Sequence, residues 1–400
     1  MADAPPPAVT VIVPTFNREA YIAETLDSVL PQLRPGDDVL VVDDGSTDGT
    51  PALIGSGVGS GRWPLRYLRQ ENAGKSVALN RALAEVADDR LVWIVDDDDV
   101  AMAGALERMR RPLEEDAEPG FTFGHYDYLV REGGDWVTRP TPVFDHPDEP
   151  LHLSLLRRCF IHQPGMLVRR RCYAAVGPFD TALRRSQDYD MILRLSRAFR
   201  GLEVPGPLFH QRQHEGQRGA GEAAVAAEDR ARAWMRYDAL IFERVHADYP
   251  FDEFRAMVRP RGHAEGADLD VAARIARAGV MARKAQWGHA ANDVASAAAL
   301  LPDRPSRRLT PAELWDLSEV FGWAGHGLIS LDDARPFFHA LARLPRRERV
   351  RALRAVSARL PQRLRTALRR KRRDEAMLVL RAAALAGRSL LARRPRAPYE

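Results

Sequence analysis

The chain has 400 residues, 45% of them hydrophobic and 28% charged, with a formal net charge of +4. That is enough for two domains with sizeable cores, and it excludes a polycation built to coat nucleic acid. Two cysteines, Cys159 and Cys172, make neither a disulfide framework nor a zinc site. The opening MADAPPPAVT lacks the basic and apolar regions of a signal peptide, and no run of about 18 apolar residues predicts a membrane span. A cytoplasmic protein is expected.

Residues 1–8 are Pro-rich and predicted to be disordered. Residues 9–13 (VTVIV) are a continuous apolar run ended by Pro14, the pattern of a buried parallel strand. After a polar turn over 15–18, residues 19–32 show helical periodicity through Tyr21, Ile22, Leu26, Val29 and Leu30. A second strand (38–42, DVLVV) stops at Asp43-Asp44-Gly45-Ser46, with a short helix from about Thr47. A third strand covers 65–68, and the polar turn 70–75 (QENAGK) leads into a helix over 76–86. A fourth strand, 91–95 (LVWIV), runs straight into Asp96, Asp97, Asp98 and Asp99. Strand alternating with helix at this spacing predicts an α/β fold with a mostly parallel sheet and helices on both faces. The polar loops at the strand C-termini then share one sheet edge, where open α/β sheets bind ligands.

Further on, residues 102–115 are predicted helical, 121–131 (FTFGHYDYLVR) a strand, and 136–139 its hairpin partner. Helices are expected at 151–160 and 186–199, a turn at 177–180, and a last strand over 202–209. From about residue 222 alanine and arginine dominate and helical periodicity persists to the end, so an all-α C-terminal domain is expected. The predicted division is 1–8, 9–221 and 222–400.

The acidic run at 96–99 has two readings. It is a solvated acidic turn, or it holds a hard divalent cation that in turn holds a phosphate. Gly74 and Lys75 precede a helix N-terminus, where backbone N–H groups favour an anion; a solvated lysine is the alternative. Asp188 and Asp190 suit the first turn of their helix electrostatically.

Four stretches together, VIVPTFNR (11–18), VVDDGSTDGT (41–50), NAGKSVALNRAL (72–83) and WIVDDDDV (93–100), resemble family 2 glycosyltransferases, which have the GT-A fold. The segment 177–197 (GPFDTALRRSQDYDMILRLSR) is similar to that family's acceptor-side segment. The resemblance covers about residues 9–218; no family is identified in the C-terminal half. It implies an inverting transferase with a nucleotide-diphosphate sugar donor, expected to be UDP-linked, and a surface-glycan or glycolipid acceptor. Asp43 would accept from the uracil N–H, with Asp44 on base or ribose and Pro14, Thr15, Phe16, Asn17 and Arg18 lining the nucleotide site. Gly74, Lys75 and Asn80 would complete that wall. Asp98 would be the main ligand of Mg²⁺ or Mn²⁺, with Asp96 beside it, Asp99 in support and Asp97 at the position that varies. His214 would close the metal shell, with Arg212 and Arg218 near the phosphates. Asp188 would be the general base, braced by Arg184 or Arg185, and His162 would face the acceptor. This chain departs from the family pattern at Gln187, where relatives carry Glu, and at Leu79, where many carry Arg. Those departures leave a second reading, a catalytically silent nucleotide-sugar-binding scaffold.

The tail from Arg346 is arginine-rich, with a basic run at 369–373 (RRKRR) and an apolar helical period over 376–391. It is either an amphipathic basic surface for the inner face of a membrane, or the solvated face of helices packed on the enzyme or on a second subunit. Aromatic interleaving is absent, so nucleic acid is not an expected partner.

Overall fold

The computed structural model describes residues 6–142, 149–213, 230–262, 265–301, 307–322 and 326–391. It divides into two compact units. The first comprises Met1–Asp145 and Cys159–Asp229, and the second His146–Arg158 and Arg230–Glu400. The described residues 149–158, expected within the N-terminal domain, therefore fall in the second unit.

The first unit is built on one nine-stranded sheet. Its strands are β1 (Val9–Thr15), β2 (Asp38–Asp43), β3 (Arg66–Arg69), β4 (Leu91–Ile94), β5 (Val100–Ala101), β6 (Phe121–Glu132), β7 (Asp135–Pro140), β8 (Met166–Arg169) and β9 (Gly201–Arg212). The order is β3-β2-β1-β4-β8-β6-β9-β5, with β7 paired to β6. The first four in space run parallel; β1, β2 and β4 carry the apolar runs of buried strands, while β3 (RYLR) is the partly exposed edge. Beyond them the sheet is mixed: β8 lies antiparallel between β4 and β6, and β9 is parallel to β6. Pro14 closes β1 opposite Val42 of β2, past the point where pairing with β4 ends at Ile12 and Ile94, so its missing N–H costs no bond on that side.

The helices of this unit are α1 (Ile22–Val29), α2 (Thr50–Gly59), α3 (Lys75–Ala84), α4 (Ala105–Glu115), α6 (Arg170–Val176) and α7 (Gln187–Ala198); α5 (Leu151–Arg157) belongs to the second unit. One face of the parallel strands makes this core: Val11, Val13, Val39, Val41 and Trp93 pack with Ile22, Leu26, Leu106 and Met109 from α1 and α4. Burial on this scale, at about 25 cal/mol per Å² of apolar surface, is what fixes the strand ends in place.

The second unit holds α5 and α8 (Arg230–Asp248), α9 (Phe251–Val258), α10 (Ala267–Arg283), α11 (Trp287–Leu300), α12 (Pro311–Ser318), α13 (Arg335–Ala342), α14 (Arg346–Ser357), α15 (Leu360–Arg369) and α16 (Arg373–Leu391). Among the described residues it contains no strand. Its alanine-rich α10 is buried along most of its length, which the small side chains permit by letting neighbours approach closely. No helix among the described residues is long and apolar enough to cross a membrane.

Candidate active site

The loops that follow β1, β2, β3 and β4 meet at one edge of the sheet, and their side chains knit them together. Asn17 sits in the left-handed region (φ 54). From there its Oδ1 accepts from the backbone N–H of Thr47 at 2.7 Å and of Asp48 at 3.3 Å, while its own N–H donates to Ser46 Oγ at 2.9 Å. The Arg18 N–H donates to Thr50 Oγ1 at 2.8 Å. The first loop is thus stapled to the second.

Asp43 is fully buried. Its Oδ1 accepts from Ser46 N–H at 2.7 Å, and its Oδ2 accepts from the Tyr67 hydroxyl at 2.6 Å, with Arg69 Nε at 3.5 Å. Burial is the main cause that pushes the Tyr67 phenol well above its ordinary value, followed by the hydrogen bond and charge of Asp43. Asp44 is the hub of the third loop. Its carboxylate accepts from Gln70 Nε2 at 2.8 Å, Asn72 Nδ2 at 3.2 Å, Ala73 N–H at 2.9 Å and Gly74 N–H at 2.7 Å. Gly45, at φ +81, has no room for a side chain: a Cβ there would lie 2.8 Å from the Asn72 nitrogen. Both carboxylates that the resemblance sends to the base are therefore engaged by the protein, and they shape the loops that follow β2 and β3.

The run after β4 is a tight turn, with Asp99 N–H donating to Asp96 C=O at 3.2 Å. The turn gives each aspartate a different partner. Asp96 Oδ1 is 2.5 Å from Lys75 Nζ, with both side chains about a third exposed. Asp97 Oδ2 accepts from Phe16 N–H at 3.2 Å, and its Oδ1 is 3.4 Å from Arg18 Nε. Asp98 Oδ2 is 3.6 Å from the same Arg18 nitrogen. Asp99 Oδ1 accepts from Arg212 N–H at 3.0 Å, and the Asp99 carbonyl accepts from Thr25 Oγ1 at 2.7 Å. Asp97 is not a loosely held position: it joins the first loop to the fourth. Its carboxyl is pushed up to about 7, by burial first, with Asp98 and Asp96 adding to the rise and Arg18 opposing it.

Arg212 departs from its expected place near a phosphate. It is buried, donates from Nε to the Asp98 carbonyl at 3.0 Å, pairs with Glu24, and lies over Tyr21 and Trp136. It braces the acidic turn from behind. His214 and Arg218 lie outside the described residues. His162 packs edge-on against Tyr126, ring centroids 4.6 Å apart.

Asp188 opens α7. The segment leading to it is docked on α3: Asn80 makes a two-point bond to Phe179, donating at 2.9 Å and accepting at 2.8 Å, and Ser76 Oγ donates to the Leu183 carbonyl at 3.3 Å. Ser186, at φ 58, turns the chain into the helix. Asn80 thus positions the segment that leads to Asp188. Arg184 approaches Gly74, its guanidinium 4.0 Å from where a Cβ would stand. Lys75 links the two sides. Burial opposes its charge, but the carboxylates of Asp96 and Asp188 outweigh that and raise the ammonium above its ordinary value. Asp188 and Asp96 therefore share the field of one lysine. Sequence reasoning missed Tyr67 and Thr25, which carry no motif; Tyr67 is identified only by the carboxylate it meets from the neighbouring strand, and Thr25 by the carbonyl it meets from α1.

Carboxylate and carbonyl oxygens with no sulfur are a donor set for a hard cation. Among the described residues no group of three or more His, Cys, Asp or Glu is arranged as a complete metal cage.

Comparison with known proteins agrees with this layout. Residues 10–174 match the model of glycosyl transferase family 2. An uncharacterised glycosyltransferase of Rickettsia felis is 29% identical over 195 residues, 48% of this chain and 32% of its own. The putative teichuronic acid biosynthesis glycosyltransferase TuaG of Bacillus subtilis is 36% identical over 146 residues, 36% of this chain and 55% of its own. The chain thus spans about a third to about half of the length of these relatives. Among solved structures, S. aureus TarS 1-349 in complex with UDP-GlcNAc superposes with a TM-score of 0.50 at 18% identity, covering 95% of this chain and 92% of that one, a likeness of fold. Over residues 10–174, this chain is similar to glycosyl transferase family 2.

Proposed function

We propose that the protein is an inverting glycosyltransferase that moves a sugar from a UDP-linked donor to a hydroxyl of a glycan or glycolipid acceptor. One observation carries the reading. Lys75 stands 2.5 Å from Asp96, and Asp188 is among the charges that raise its ammonium, which supports the acidic turn and the first turn of α7 acting in one site. A transferase needs that pairing of an anchor for the leaving diphosphate and a carboxylate for the attacking hydroxyl. The names of relatives point the same way: TuaG is named for teichuronic acid biosynthesis, and TarS 1-349 was solved with UDP-GlcNAc.

In this reading Asp98 and Asp96, with His214, hold Mg²⁺ or Mn²⁺, which when bound supplies Lewis-acid stabilisation of the diphosphate. Lys75 and Arg18 add fixed positive charge beside it. The loops built on Asn17, Asp43 and Asp44 form the walls of the base and ribose site. Asp188 takes the proton of the acceptor hydroxyl as its oxygen bonds to the anomeric carbon and the bond to the diphosphate breaks. Attack from the face opposite the leaving group inverts the configuration. The site of action is the cytoplasm, at the inner face of the membrane where a lipid-linked acceptor would be presented.

The test is turnover of a nucleotide-sugar panel by the full chain, read as UDP release with Mn²⁺ and with chelator. Metal-dependent release is expected from one donor. Asp188→Asn should keep UDP affinity by calorimetry and lose about 10²–10⁴ in kcat. An unchanged rate would remove Asp188 from its role. UDP binding without transfer or donor hydrolysis would favour the silent binding protein instead.

A further inference from the structure

The corner between α15 and α16 has a surface unlike the rest of the helical unit. The last turn of α15 is closed by Arg370 N–H to Thr366 C=O at 3.0 Å, Lys371 N–H to Leu368 C=O at 3.1 Å and Arg372 N–H to Ala367 C=O at 2.9 Å. Lys371 takes the left-handed conformation (φ 55) that this type of helix end requires. The chain therefore reverses within three residues and thrusts out Arg369, Arg370, Lys371, Arg372 and Arg373, all exposed and consecutive. Bulky apolar side chains flank the cations: Leu368 is 62% exposed, Met377 59% and Leu380 52%.

The pattern continues along α16. Ala376, Val379, Ala382 and Ala386 make its buried stripe. At 100° per residue, Arg373, Met377, Leu380, Ala384 and Leu391 fall on the opposite side, and every one of them is exposed. Small residues serve the core here, and the large apolar ones face outward, the reverse of an ordinary surface helix. No acidic residue lies on that outer stripe. Asp374 and Glu375, in the first turn, lie off it, and Glu375 is taken up by Arg363 and Arg372.

We propose that the α15–α16 corner is a foothold on an anionic bilayer, with its cations among lipid phosphates and Leu368, Met377 and Leu380 in the boundary between headgroups and acyl chains. Charge complementarity selects this partner. A second copy would bring five cations against five across a two-fold contact, which costs free energy. A nucleic acid would satisfy the cations and leave the apolar stripe in water. An anionic bilayer answers both halves of the surface, since polybasic attraction and shallow apolar insertion reinforce each other. The proposal concerns the helical unit alone and stands apart from the transferase reading: a lipid-binding result is obtained without any sugar transfer.

The experiment is co-sedimentation of the full chain with vesicles of phosphatidylcholine alone and of phosphatidylcholine containing phosphatidylglycerol. Binding to the second and not the first is expected, falling with added salt. The triple variant Arg369→Gln, Arg370→Gln, Lys371→Asn should weaken it by about 100-fold, from the loss of three cations. Asparagine is chosen at 371 because it tolerates the left-handed backbone. The pair Met377→Gln, Leu380→Gln should also weaken binding, with circular dichroism melts of both variants matching the parent. Binding indifferent to phosphatidylglycerol, no binding at all, or binding that the apolar pair leaves intact would overturn the proposal. So would a concentration-dependent dimer in light scattering that Leu380→Gln dissolves, or displacement from the vesicles by short RNA with no loss in the apolar pair.

Discussion

Four adjacent aspartates are chemically alike in the sequence and distinct in the fold. The turn at 96–99 points Asp96 to Lys75, Asp97 to Phe16 N–H and Arg18, and Asp99 to Arg212 N–H. The clustering of charge was legible in the sequence, because four carboxylates cannot extend a buried strand. The division of labour was not, because it depends on partners such as Arg212, 114 residues beyond Asp98. Asp43 teaches the same lesson. Its motif identifies it, but its burial depends on Tyr67, whose hydroxyl meets it from the neighbouring strand. Tyr67→Phe removes one hydrogen bond from a fully buried carboxylate and leaves Arg69 and Ser46 to hold it. A loss of about 1.5–3 kcal/mol is expected, the usual range for a bond to a charged group. Denaturant melts of the two proteins check this. UDP affinity should fall as well, since Asp43 sets the path of the loop that follows β2.

At the scale of elements, the strand-loop-helix units and the strands β6, β7 and β9 are legible in the sequence, whereas β5 and the antiparallel pairing of β8 are not. The runs at β1, β2 and β4 are apolar without interruption, so they announce themselves. The two-residue β5 and the antiparallel β8 exist only through pairing with β9, β4 and β6, and no local period encodes that. The helix α3 shows how an element end is made for function. Gly74 precedes it at φ 96 and ψ 156, a conformation essentially reserved for glycine. That conformation delivers its N–H to Asp44 and aims Lys75 at Asp96. Gly74→Ala should cost about 1–3 kcal/mol of stability and weaken UDP binding with it. Gly61→Ala is the control: it also has positive φ (+74) but open space around it, so stability should fall while UDP affinity holds.

In the helical unit, α8 supplies Asp238, whose Oδ2 accepts from Lys284 Nζ at 2.6 Å and meets His326 Nε2 at 3.0 Å. Burial opposes the carboxylate's charge, but Lys284 and His326 outweigh it and hold the group well below its ordinary 3.8. A depressed acid contributes stability that is present above that ordinary value and is lost as pH falls through the folded one. Asp238→Asn strands a buried ammonium and should cost about 3–5 kcal/mol near pH 7. The gap between variant and parent should close as the pH drops toward 2, which acid titration followed by circular dichroism will measure.

For the whole molecule, the notable feature is the path of the chain. Between β7 and β8 of the sheet unit, the described residues 149–158 belong to the helical unit. The visit is anchored by buried charge. Arg157 pairs with Asp316 and lies 3.3 Å from Glu149, which also accepts from Ser154 Oγ at 2.9 Å; Arg261 meets Asp316 at 2.8 Å. Burial works against the Arg157 charge, but Asp316 and Glu149 more than offset it and raise the guanidinium further. Leu153, Leu155 and Leu156 of α5 are buried as well. A texture change near residue 222 predicts a helical half, but no composition signal marks an inserted segment of this length, because its leucines look like those of any helix. The consequence is that the family match at 10–174 does not delimit a self-sufficient piece, since it contains α5 without the helices that cover it. A chain ended at residue 229 should expose those leucines and strand Glu149 and Arg157 without Asp316. Burying an unpaired charge costs several kcal/mol and a bared leucine about 1.5–3 more, comparable to the whole stability of a domain. The truncated chain should therefore bind the dye ANS and aggregate at concentrations where the full chain stays monodisperse. A soluble 1–229 fragment that melts cooperatively and does not bind the dye would show that the sheet unit carries α5 without help.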